Sequence, residues 1–146
     1  MKMVDVGGKE RTERVAIATA RLRMKPETVA RIREGRVEKG DVLAAARLAG
    51  VMATKRTPEL IPLCHPIALT GVTMEVNLDE GGVFVRAEVK TLDRTGVEME
   101  ALTAAATAAL TVYDMVKSVD RGMVIESLQL EHKAGGRTGA WDRGSP

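Results

Sequence analysis

"GVTMEVNLDEGGVFVRAEVKTL", residues 71–92, holds two runs of alternating apolar and polar residues that meet at Glu80-Gly81-Gly82. Alternation at period two puts one set of side chains on each face of a pleated strand, and neighbouring glycines supply turn conformations that bulkier residues resist. The spacing therefore predicts an antiparallel hairpin with one buried face.

Outward from the hairpin, "TERVAIATARLRM" (12–24) alternates in the same way and predicts a strand. "VIESLQLEHK" (124–133) reads as an edge or closing strand. "GVEMEALTAAATAALTVYDMVKSVD" (96–120) predicts the longest helix, some five or six turns, nearly uncharged through its middle. A helix that is apolar or small on several faces needs cover on several faces, here from the sheet and from another subunit. "PETVARIREG" (26–35) predicts a short helix opened by Pro26 and closed by Gly35. "GDVLAAARLAGVMATKR" (40–56) predicts another, with Asp41 as N-cap and Lys55–Arg56 in its last turn. Pro58, Pro62 and Pro66 predict an irregular or extended connection after it. The order strand, two helices, strand, strand, long helix, strand predicts an α+β fold. The expected architecture is a ferredoxin-like sandwich, with a mainly antiparallel four-stranded sheet and helices packed on one face.

A length of 146 residues suits one domain, 1–146, with residues 1–10 and 134–146 as mobile arms. A single cysteine rules out an internal disulfide, no apolar run approaches the ~20 residues of a membrane span, and the N-terminus lacks a signal-peptide pattern. A cytoplasmic protein is expected. The net charge is +2, from 22 basic and 20 acidic residues, and there is one Trp, one Tyr and one Phe. That balance argues against a nucleic-acid groove or a base-stacking platform.

Four clusters carry candidate chemistry. In "LIPLCHPIAL" (60–69), Cys64 and His65 are adjacent in an extended, proline-flanked segment, so they point to opposite faces and cannot form a nucleophile–base dyad. A zinc site needs three or four ligands, and beyond this pair the soft ligands amount to His132. One of the pair should face the core and the other a cleft, with Cys64 the buried one. Lys39 in "EKGDV" (38–42) precedes a helix N-terminus, where anions are favoured; a solvated loop lysine is the plainer reading. Glu98 and Glu100 in "TGVEMEAL" (95–102) suit the positive end of the long helix, and two neighbouring acceptors also suit the N–H edge of a guanine-like ring. Asp114 and Lys117 in "YDMVK" (113–117) lie three apart on one helix face, a partly buried pair in which Asp114 orients Lys117 for proton transfer. Glu98 and Asp114 are sixteen residues apart on the same helix, roughly 24 Å. Both ends can serve one reacting centre only if two subunits bring opposite ends together.

Taken together, "KGDVLAAARLAGVMATKRTPELIPLCHPIAL" (39–69), "TGVEMEALTAAATAALTVYDMVKSVDRGMVI" (95–125) and "HKAGGRTG" (132–139) resemble the molybdenum cofactor biosynthesis protein C family, the cyclic pyranopterin monophosphate synthases. The likeness runs from "MVDV" at 3–6 to Gly139. It implies a ferredoxin-like subunit in a homo-hexamer, a trimer of dimers with sites between subunits. It also implies the reaction: an upstream radical enzyme makes 3′,8-cyclo-7,8-dihydro-GTP from GTP, and this protein rearranges it to cyclic pyranopterin monophosphate with release of pyrophosphate. Lys39 and Lys117 match the family's catalytic lysines, and Asp114 the aspartate beside the second. His65, Glu98 and Glu100 match positions at the base portion of the substrate, with Cys64 a packing residue in the same substrate-binding segment. Arg14, Lys55 and Lys133 match basic positions at the triphosphate. "GGRTG" (135–139) departs mildly from relatives that carry lysine and serine there. No resident cofactor, protein-held metal, nucleic acid or membrane is implied; Mg²⁺ would arrive with the substrate phosphates. Ring opening and reclosure move protons without a redox step, and a lysine, ordinarily near ~10.4, needs cationic neighbours or burial to do this at neutral pH. The competing readings are a non-catalytic nucleotide or pterin sensor and an RNA-binding ferredoxin-like module.

Overall fold

The structure, a computed structural model, describes residues 1–144. Ser145 and Pro146, the end of the expected C-terminal arm, lie outside the described residues. The elements run β1 (Thr12–Arg23), α1 (Pro26–Arg33), α2 (Val42–Leu60), β2 (Leu69–Asp79), β3 (Gly82–Asp93), α3 (Glu98–Val116), β4 (Val124–Ala134) and β5 (Trp141–Asp142). The sheet order is β2-β3-β1-β4-β5, with every neighbouring pair antiparallel. The first four strands take the ferredoxin-like order. The fifth is a two-residue strand from the expected C-terminal arm, and it covers the edge of β4 at His132 and Lys133. Among the described residues no helix is long and apolar enough to cross a membrane.

One sheet face makes the core. Ala16, Ala18, Ala20 and Leu22 of β1 pair across the ladder with Val89, Ala87, Val85 and Val83 of β3, and all eight are buried. Alanine on the central strand leaves room for α3, which packs on β1, β3 and β4 through Ala101, Ala104, Ala105, Ala108 and Val112. α2 lies beside α3 and over β2. The approach is close at Gly50, where a Cβ would fall 2.3 Å from the Met74 terminal methyl and 3.3 Å from the Ala104 carbonyl oxygen.

The hairpin turn is held by Asp79. Its Oδ1 accepts from the N–H groups of Gly81 and Gly82 at 2.9 and 3.1 Å, and both oxygens accept from Arg21, at 2.6 and 2.7 Å. The Arg21 guanidinium holds the Asp79 carboxyl below the usual carboxylate range.

α2 runs further than the prolines suggest. Asp41 caps it as expected, accepting from the Ala44 N–H at 3.1 Å, but the helix continues through Lys55–Arg56 and past Pro58 to Leu60. Pro58 lacks the N–H that would bond the Thr54 carbonyl one turn back. The Thr57 hydroxyl stands in, donating to Thr54 O at 3.2 Å and Ala53 O at 3.0 Å, and the Ile61 N–H closes the end on Thr57 O at 2.9 Å. The helix therefore ends two residues beyond the proline.

α1 has no capping side chain of its own at Lys25. Asp120, buried just beyond α3, supplies one: its Oδ2 accepts from the Lys25 N–H at 3.0 Å and the Thr28 hydroxyl at 2.9 Å. Burial pushes the Asp120 carboxyl up, but these bonds and the Lys25 charge outweigh it and leave the group below its ordinary value. A carboxyl depressed in the fold stabilises above its unfolded pKa of ~3.9, and the contribution fades as pH falls through the folded value. Asp120→Asn should lower the urea midpoint at pH 7, and the gap from wild type should narrow at pH 3.

Candidate active site at the two ends of α3

The C-terminal end of α3 gathers Lys39, Asp114 and Lys117. Lys39 leaves the turn before α2 at Gly40, which takes φ 114, and its Nζ donates to Asp114 Oδ2 at 3.0 Å and to the Asp114 carbonyl at 3.2 Å. Lys117 Nζ lies 2.9 Å from Asp114 Oδ1. One carboxylate thus bridges two ammonium groups. Lys117 and then Lys39 hold the Asp114 carboxyl below its usual range. The triad is about half exposed rather than partly buried, and it faces a cleft of about 530 Å³ that Arg31, Arg36 and Glu38 also line.

The first turn of α3 builds a different environment. Glu100 is 1% exposed, and its Oε1 has no hydrogen-bond partner. Burial pushes its carboxyl up, helped by the charge of Glu98, against smaller pulls from its own backbone N–H and from Cys64. Glu100 lines a cleft of about 490 Å³ with Thr54, Lys55, Thr70 and the chain from Pro66 to Leu69. Cys64 and His65 are both half-buried, so the expected division into one core and one cleft residue is not seen. Cys64 turns to Glu100, with Sγ 3.6 Å from Oε2.

Glu98 faces a separate basic cleft with Lys9, Arg14, Lys133 and Arg137. Arg14 is held there by the carbonyls of Asp93 and Arg94, at 3.2 and 3.3 Å. Gly135 and Gly136, at φ 97 and 79, let the tail cross Arg14; a Cβ at Gly136 would fall 2.2 Å from Arg14 Nη1. Beyond the tail's turn, Lys133 donates to the Thr138 hydroxyl, and His132 Nδ1 lies 2.6 Å from Asp142. Lys9 and Arg137 were not among the residues expected at the site. Their signal in sequence is only a cation in each polar arm.

The residues expected at the site therefore fall into two groups. Lys39, Asp114 and Lys117 stand at one end of α3, and Arg14, Lys55, Cys64, Glu98, Glu100 and Lys133, with the His65 segment, at the other. Among the described residues no three His, Cys, Asp or Glu side chains gather as a metal site.

A carboxylate-bridged lysine pair and a desolvated carboxyl, each lining a cleft of ligand size, are the equipment of an acid–base enzyme. The MoaC family model matches residues 3–136. The chain is 60% identical over 144 residues to a cyclic pyranopterin monophosphate synthase of Thermomicrobium roseum, covering 97% of this chain and 87% of that one. It is 56% identical to the synthases of that name from Brevibacillus brevis and Brucella ovis, over 98% and 99% of this chain and 90% and 88% of theirs. The chain belongs to the MoaC family and is an enzyme, a lyase, of molybdenum cofactor biosynthesis.

Proposed function

We propose that the chain converts 3′,8-cyclo-7,8-dihydro-GTP to cyclic pyranopterin monophosphate and releases pyrophosphate, with Lys39 and Lys117 as the acid–base groups. The observation that carries this is the Asp114 bridge, which fixes both ammonium groups within 3.0 Å of one carboxylate at the mouth of a cleft. Opening the five-membered ring of the purine, reclosing it as a pterin and closing the cyclic phosphate all need protons delivered to and taken from nitrogen, carbon and oxygen at fixed places. Asp114 holds the two lysines in register for those transfers. Arg14, Lys55 and Lys133 favour the triphosphate and the departing pyrophosphate by charge. His65, Glu98 and Glu100 receive the base portion, and the chain needs no resident cofactor; Mg²⁺ enters with the phosphates. The upstream radical enzyme acts before this step, in the cytoplasm.

The two groups of residues are too far apart for one chain to use both on a single ligand. We propose that a second copy brings its opposite end, within a homo-hexamer built as a trimer of dimers. An apolar stripe on the outer helix layer favours association: Met99, Thr103, Ala106 and Leu110 align on α3, and Leu48 and Met52 align on α2, with Leu48 61% and Leu110 56% exposed.

The upstream enzyme's product, incubated with the wild-type chain, tests the reaction. Pyrophosphate and a pterin that becomes fluorescent on oxidation should appear together, in equal amounts. Binding without release of either would replace the synthase by a sensor.

A further inference from the structure

Cys64 is the only cysteine of the chain, yet it does not lie in the core. It sits half-buried in the extended segment after α2, where its sulfur meets two acceptors, Glu100 Oε2 at 3.6 Å and its neighbour's carbonyl, His65 O, at 3.7 Å. Glu100 is 1% exposed, and its other oxygen, Oε1, has no partner while its side chain lines the cleft of about 490 Å³. A buried carboxyl with one oxygen tied and one free has a defined direction. The free oxygen is the acceptor offered to whatever enters.

We propose that Cys64 is a positioning residue: its S–H, donated to Glu100 Oε2, turns Oε1 into the cleft to accept an N–H from the ligand. The inference rests on the synthase reading for the identity of that ligand, whose guanine-derived ring carries such N–H donors along one edge. The contact itself does not depend on that reading.

The thiol's charge state suits this role. Burial first, and then the charge of Glu100, push Cys64 up to about 11, so it stays protonated at neutral pH and acts as a donor rather than a nucleophile. A thiol is a weak donor, but inside a desolvated pair it is the only side chain seen bonding this carboxylate. Without it, Oε1 and Oε2 become equivalent, and the carboxyl is free to turn between them. The expected cost falls on ligand binding, not on proton transfer at Lys39 and Lys117, which lie at the other end of α3.

Two measurements test the assignment. With one cysteine in the chain, the Raman S–H stretch reports this thiol alone. The band should lie at the hydrogen-bonded position in the wild type, move toward the free-thiol position in Glu100→Gln, and move further in Glu100→Leu, with circular dichroism checking that each variant is folded. A band at one frequency in every folded variant would mean that the thiol bonds its own neighbour's carbonyl, and the proposal falls. In steady-state kinetics, Cys64→Ala should raise KM about five- to tenfold with kcat within about twofold. Cys64→Ser, which keeps a donor at that place, should raise KM by less than about threefold. Alanine and serine variants impaired equally, or both matching wild type, would overturn it. If the wild type turns over no substrate at all, the synthase reading fails, and the Raman shift decides the contact by itself.

Discussion

Lys117→Ala should lower kcat by about 10²- to 10⁴-fold while leaving the fold unchanged. Lys117 lies just past the last turn of α3 and is about half exposed, so its loss opens no cavity in the core. What it loses is the ammonium held 2.9 Å from Asp114 Oδ1. Lys39→Ala should cost a similar factor, because Lys39 bonds the other oxygen of the same carboxylate. The double variant should be scarcely worse than either single one, as expected for groups that act as a unit. Asp114→Asn should retain the geometry yet lose activity, since an amide cannot offer an acceptor oxygen to both lysines. Release of pyrophosphate under saturating substrate, with circular dichroism as the control, measures all four. Near-wild-type kcat in Lys117→Ala would remove this end of α3 from the chemistry.

Gly82→Ala is the substitution expected to harm the fold most, by about 3–5 kcal/mol. Two costs combine. Gly82 takes φ 145, a region that a residue with a side chain rarely adopts, and an added Cβ would lie 2.0 Å from the backbone oxygen of Leu22. Leu22 is fully buried on the central strand, so the clash cannot be relieved by moving a flexible side chain. Gly81→Ala, whose added Cβ would meet nothing nearer than the tip of Arg21 at 3.2 Å, should cost far less. Urea unfolding of the two variants side by side makes the comparison.

That contrast shows how far the sequence is legible. The pair of glycines marks the turn, because a turn is a local event governed by local conformational freedom. Which glycine is indispensable depends on β1, some sixty residues away, and no spacing rule carries that information. β1, the hairpin and α3 are legible because each buries one periodic face. The end of α2 is not: the rule that proline ends a helix gives way to the hydroxyl of Thr57, which satisfies the carbonyl that Pro58 leaves bare. β5 is two residues long, too short to have a period, and its strand pairing rests on His132, Lys133 and Arg143 reaching across.

The site divides in the same way. Asp114 and Lys117 can be paired from helical spacing alone, whereas Lys39 joins them across seventy-five residues and is legible only through family likeness. The bond between Cys64 and Glu100 escapes both routes. Propensity places a cysteine in the core and glutamates at a helix start, while the structure buries the glutamate and leaves the cysteine half-buried beside it.

The account stands most directly on the claim that each working site draws on opposite ends of α3 from two copies of the chain. Lys117→Ala disables one end and Glu100→Gln the other, so each variant alone should be nearly inactive. Unfolded together and refolded as a mixture, they should regain about a quarter of wild-type activity, because half of the random pairs are mixed and each mixed pair rebuilds one intact site of two. Recovery near that fraction supports the shared site. A mixture no more active than the two variants measured apart, with subunit exchange demonstrated, would contradict it and place the whole reaction within a single chain.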